Sequence, residues 1–90
     1  MRTVHRAVVD GPGIIRDISM PRFAKVEHVG AIGDGSTGAV EFWYEVDTDT
    51  YPRPRGFMVT GTGQPAATQA EYLGCTGRTE SGLVWHLWEV

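Results

Sequence analysis

Three histidines, eleven acidic side chains and one cysteine are the residues from which a catalytic or metal centre would have to be built. His5, His28 and His86 stand far apart, and no pair has an interval that a helix or hairpin would turn into a ligand set. Glu41 and Glu45 fall on one face of a predicted strand about 13 Å apart, too far to share a proton. Asp47 and Asp49 belong to a solvated turn. Cys75 has no neighbouring histidine and no flanking motif of a cysteine enzyme, and it reads as a small buried apolar filler. A single cysteine also excludes an intrachain disulfide and a cysteine-built zinc cage. Ser19, Ser36 and Ser81 lack the context of a nucleophile elbow. The expectation is a protein that is not an enzyme and takes no metal or cofactor.

Binding chemistry offers more. Thr60-Gly61-Thr62-Gly63-Gln64-Pro65 has the glycines of a phosphate-cradling loop, but Gln64-Pro65 stands where a lysine and a helix would be needed. The third glycine and βαβ context of a dinucleotide fold are missing too. The stretch therefore reads as a β-corner. A backbone nest at Gly61, Thr62 and Gly63, with Arg78, Arg53 or Arg55 on the charge of a nucleotide-like ligand, is the alternative. Tyr51, Arg53 and Arg55 form a small basic-aromatic set of the kind that stacks single-stranded nucleic acid, yet Asp47 and Asp49 offset its charge. Trp43, Trp85 and Trp88 are too many tryptophans for the centre of so small a core. Since aromatics are enriched at contacts, one or more of them is expected to anchor a protein interface.

Ninety residues make one domain with a single modest core. An apolar content of 41% supports that core and argues against disorder, while 12 glycines and 5 prolines point to frequent turns rather than long helices. A net charge of −3 leaves no global cationic field, which disfavours nucleic acid as partner. Met1 to Arg6 carry no apolar run after their charges, and no stretch approaches the roughly 20 apolar residues of a membrane span. No membrane role is expected, and the cytoplasm is the default compartment.

Hydrophobic alternation supplies the elements that must position these residues. Strands are predicted over Thr3–Val9 (an edge strand, since neither face is purely apolar), Ile14–Met20, Lys25–Ile32, Ala39–Val46, Phe57–Thr60, a segment around Glu71–Thr76, and Leu83–Val90. Ala39–Val46 is the clearest. Val40, Phe42, Tyr44 and Val46 face the core, and Trp43 lies on the opposite face between Glu41 and Glu45. Gly33–Gly38 is expected to be a flexible hairpin tip. The prolines of Asp47–Gly56 suggest an extended surface loop unable to pair as a central strand. Ala66–Ala70 is expected to make one helical turn. The last strand is apolar on both parities, so it is either central and covered twice or has one face in an oligomer interface. The fold class is all-β: a small single-domain antiparallel β-sandwich or partly open barrel of six to seven short strands.

Met20-Pro21 with Ala24-Lys25-Val26, Val46-Asp47, Gly61-Thr62-Gly63 with Pro65, Tyr72-Leu73-Gly74, and Leu83 to Glu89 together resemble a family of small proteins common in bacteriophage and prophage genomes, without an assigned activity. The resemblance covers most of the chain and is closest in the last third. Its motifs specify a fold rather than a reaction. Gln64 stands where a histidine is common in that family, and Cys75 and Ala66–Ala70 occupy a variable region. The resemblance implies a phage accessory protein acting in the host cytoplasm. Joined to the residue reading, it yields a non-enzymatic protein-interaction module, self-associating, with a host or phage protein as partner. A nucleotide-sequestering protein and a virion decoration protein are the alternatives.

Overall fold

The computed structural model describes all 90 residues. Seven strands and no helix are present: β1 (Arg2–Val9), β2 (Arg16–Pro21), β3 (Lys25–Ala31), β4 (Val40–Asp47), β5 (Pro52–Gly61), β6 (Glu71–Cys75) and β7 (Trp85–Glu89). They form two antiparallel sheets, ordered β1-β4-β3 and β2-β5-β7-β6. The sheets face each other as an open, sandwich-like pair rather than closing into a barrel. The expected all-β class is what the chain adopts.

The alternation in β4 sets the core. Val40, Phe42, Tyr44 and Val46 are all buried, and they face Phe57 and Val59 of β5 and Leu87 of β7 from the opposite sheet. Phe42 and Phe57 meet with ring centroids 4.9 Å apart. β1 is an edge strand, which tolerates its mixed faces. β7 is central in its sheet, between β5 and β6, with Leu87 fully buried on its inner face, while His86 and Trp88 on the outer face are only partly covered.

Several boundaries move for identifiable reasons. β2 begins at Arg16, because Ile14 closes a turn onto the Gly11 carbonyl and leaves both isoleucines about half exposed. β7 begins at Trp85 rather than Leu83. The expected helical turn at Ala66–Ala70 is a β-turn with one bond, from Ala70 N–H to the Ala67 carbonyl, since five residues cannot offset the cost of helix nucleation. Cys75 is exposed rather than buried: the register shift in β6 between Tyr72 and Gly74 sets it opposite His86 on the outer face.

The largest correction concerns Pro52 and Pro54, which were expected in an extended surface loop unable to pair as a central strand. Both lie within β5, opposite Pro21 and Ser19 of β2. Backbone groups on a strand alternate sides, and Gly56 points toward β7, where its carbonyl accepts Val90 N–H at 2.8 Å. Pro54 and Pro52 share the parity of Gly56. Their nitrogens therefore point past the end of the β7 ladder, where no acceptor waits for an N–H.

The Gly33–Gly38 tip is docked rather than flexible. Asp34 accepts Ser81 N–H at 3.0 Å, and Gly35 and Gly38 are buried at φ values of 79° and 76°. Trp85 donates its indole N–H to the Gly35 carbonyl at 2.6 Å, which binds this tip to the four-stranded sheet.

Candidate functional site: an aromatic and cationic tip

The residues foreseen for binding are spread over the molecule rather than gathered at one place. Trp43 lies half-buried on the outer face of the three-stranded sheet, beside His28 with ring centroids 5.5 Å apart. Glu41 and Glu45 on either side of it are taken by Arg6 and Arg2. Trp85 points inward and packs on the core. Trp88 lies on the outer face of the four-stranded sheet, donating to Thr60 Oγ1 at 2.9 Å with the Tyr72 ring edge-on at 5.0 Å. Gly61, Thr62 and Gly63 form the expected turn, with Gly63 at φ 85° and Gln64 N–H on the Gly61 carbonyl. The Gly61 N–H, which a nest would offer to an anion, is held by Gln64 Oε1 at 2.8 Å. A cleft of about 300 Å³ separates this turn from Gly82–Trp85, and Arg78 is not among its lining residues.

Thr62 and Tyr72 hold His86 between them. Tyr72 OH lies 2.9 Å from Nδ1 and Thr62 Oγ1 lies 2.9 Å from Nε2. Thr62 Oγ1 also lies 3.5 Å from the Val84 carbonyl. The trio ties β6, β7 and the 61–64 turn together. Burial, with a smaller contribution from Cys75, pushes the Tyr72 phenol above its ordinary range. A raised folded value means that the associated stabilisation is complete at neutral pH and is lost as pH rises through the folded value. Stability is expected to fall above about pH 10, where free tyrosine ionises. Tyr72→Phe should remove that component. Titration of phenolate absorbance, with melts of Tyr72→Phe and the unmodified chain across that pH range, checks both statements.

Tyr51 and Arg53 find different company from that expected. β2 ends at Pro21, and the chain crosses to the other sheet through a four-residue turn closed by Ala24 N–H on the Pro21 carbonyl. Phe23 occupies the third position at φ 66°, the one non-glycine residue in the left-handed region, and its ring is 81% exposed. That conformation is costly for a bulky side chain. Two bonds pin this turn to the next one: Arg22 N–H donates to the Tyr51 carbonyl at 3.0 Å, and Thr50 Oγ1 donates to the Arg22 carbonyl at 3.2 Å. Tyr51, 87% exposed, stands on that second turn. Arg53 follows, opposite Met20 in the register, and the Arg22 guanidinium lies 4.8 Å from the centre of the Phe23 ring.

Arg55, foreseen as part of the same set, is committed elsewhere. Its guanidinium binds Glu89 through two contacts of 2.7 Å and the Ala24 carbonyl at 2.6 Å, which holds its charged form more firmly than usual. It supports the tip from beneath. Arg22 and Phe23 escaped the sequence reading. Their only signal is an aromatic residue two positions after a strand-ending proline, outside any alternating run.

The whole chain, residues 1–90, matches the model of a family described as a domain of unknown function, DUF7352. The chain belongs to that family. No curated protein and no solved structure matches it. No helix in this member is long and apolar enough to cross a bilayer.

Proposed function

We propose that this member is a non-enzymatic protein-interaction module whose contact surface is the tip formed by Arg22, Phe23, Tyr51 and Arg53. One observation carries the reading: two aromatic side chains, 81% and 87% exposed, stand on adjacent, mutually hydrogen-bonded turns, one of them held in a strained backbone conformation. An exposed ring contributes little to folding, and backbone strain is characteristic of sites where it serves a contact. Tyrosine and arginine are also the residue types that dominate binding hot spots. The resemblance to phage and prophage proteins supports an accessory protein working in a host cytoplasm, with a host or phage protein as partner.

The reading includes self-association through the outer face around Trp88, where Tyr72 and Val90 are both about half exposed. Sedimentation velocity at rising concentration reports this, and a monomer at the highest concentration removes that part.

Phe23→Ser combined with Tyr51→Ser tests the main statement. Quantitative pull-down from host lysate should show at least about a tenfold loss of the proteins retained by the unmodified chain. The melting temperature should change by only a few degrees, because serine keeps the same backbone penalty at φ 66° and the two exposed rings contribute little to the core. An unchanged set of captured proteins would sink the reading.

A further inference from the structure

We infer that the tip recognises an acidic segment of a partner protein, one or two carboxylates set among apolar residues, rather than a nucleic-acid strand. This rests on the interaction reading above and adds the partner's chemistry. Of the eight lysine and arginine residues, five have a carboxylate within 4.0 Å: Arg2, Arg6, Arg16, Lys25 and Arg55. Arg22, Arg53 and Arg78 have none, and two of these three share the tip with the two most exposed aromatic rings. The local carboxylates do not answer them. Asp47 accepts Asp49 N–H at 3.0 Å, and both aspartates lie against the Met1 ammonium, at 3.2 and 3.0 Å.

The guanidinium of Arg22 is already stacked on Phe23, so its flat donor fork is oriented before a ligand arrives. A carboxylate suits that fork as a bidentate acceptor, while Phe23 and Tyr51 offer apolar area on either side. A polyphosphate strand fits less well. It needs a run of cations, and the tip offers only Arg22 and Arg53.

Selection of a random dodecapeptide library against the full chain tests this, with the selected peptides and a dodecamer of thymidine then measured by fluorescence anisotropy. The selected peptides should be rich in Asp and Glu beside apolar residues. Arg22→Ser with Arg53→Ser should weaken them at least about tenfold, and added salt should weaken binding to the unmodified chain far more than to that variant. Several results would overturn the inference: peptides without acidic enrichment, affinity indifferent to the two arginines, no selected peptide at all, or tighter binding of the thymidine strand dependent on Arg22 and Arg53. The two levels separate cleanly. If Phe23→Ser with Tyr51→Ser abolishes peptide binding while the arginine variant does not, the acidic partner fails and the interaction reading stands. If the aromatic variant binds like the unmodified chain, the interaction reading fails as well.

Discussion

Phe42→Ala should remove a large part of this protein's folding stability. Phe42 is fully buried and spans the gap between the sheets, with Phe57 at 4.9 Å and Tyr44 at 5.7 Å between ring centroids. Truncating a buried phenylalanine costs about 3–5 kcal/mol, through lost transfer energy and a cavity that its neighbours only partly fill. A domain of this size has about 5–15 kcal/mol in total. Only 15 of the 90 residues are buried, so few neighbours can move in to fill the space. The melting temperature should fall by about 15–30 °C on the usual conversion of about 4–8 °C per kcal/mol. Phe42→Leu, which keeps most of the volume, should cost less than about 2 kcal/mol. Urea denaturation of both variants checks the pair. Combining Phe42→Ala with Phe57→Ala should cost less than the sum of the two single changes, since both remove the same contact. A loss below about 1 kcal/mol for Phe42→Ala would mean that the two sheets are not held together through this ring.

The second large effect lies far from the core centre. Gly35→Ala should cost about 2–5 kcal/mol. Gly35 is buried at φ 79°, and a Cβ placed there would run into the side chain of Thr79. Thr79 cannot step aside, because its hydroxyl donates to the Leu83 carbonyl at 2.7 Å and lies 2.9 Å from Ser81 Oγ. Left-handed backbone costs a non-glycine residue about 1–2 kcal/mol, and overpacking adds about 1–3 kcal/mol. Gly33 provides the control. It has a similar φ of 63° with open space around its Cβ position, so Gly33→Ala should cost only about 1 kcal/mol. The difference between the two variants in thermal melts measures the close approach of the two loops. Equal costs would show that Thr79 relaxes. The near-UV signal of Trp85 should change in Gly35→Ala alone, because its indole N–H is bonded to the Gly35 carbonyl.

Legibility in the sequence depended on whether a residue's role is decided by near neighbours or by distant ones. The faces of β4 were legible from Val40, Phe42, Tyr44 and Val46, because a strand with one buried side writes its orientation in its own period of two. Trp43 on the polar face followed from the same period. Pro52 and Pro54 were misread, because whether a proline nitrogen faces a neighbouring strand depends on where β7, more than thirty residues away, stops pairing with β5. Arg53 and Arg55 illustrate the same limit at the candidate site. They are two residues apart and share a parity, yet Arg55 is claimed by Glu89 and Arg53 is left without a carboxylate.

From composition, alternation and turn residues alone, then, the chain determines an all-β sandwich-like fold, a β4-centred core, and a glycine corner at residues 61–64 that is a turn. Those features rest on local backbone preferences and on the burial of one strand face, both of which act over a few residues. What the tertiary structure decided is which polar and aromatic groups remain unanswered. Phe23 and Tyr51 are brought together only because β2 and the 47–51 turn meet at one end of the sandwich. The arginines beside them stay free because every other carboxylate has found its own partner or lies elsewhere. Exposure and unpaired charge are properties of the folded surface, and a linear chain does not record them.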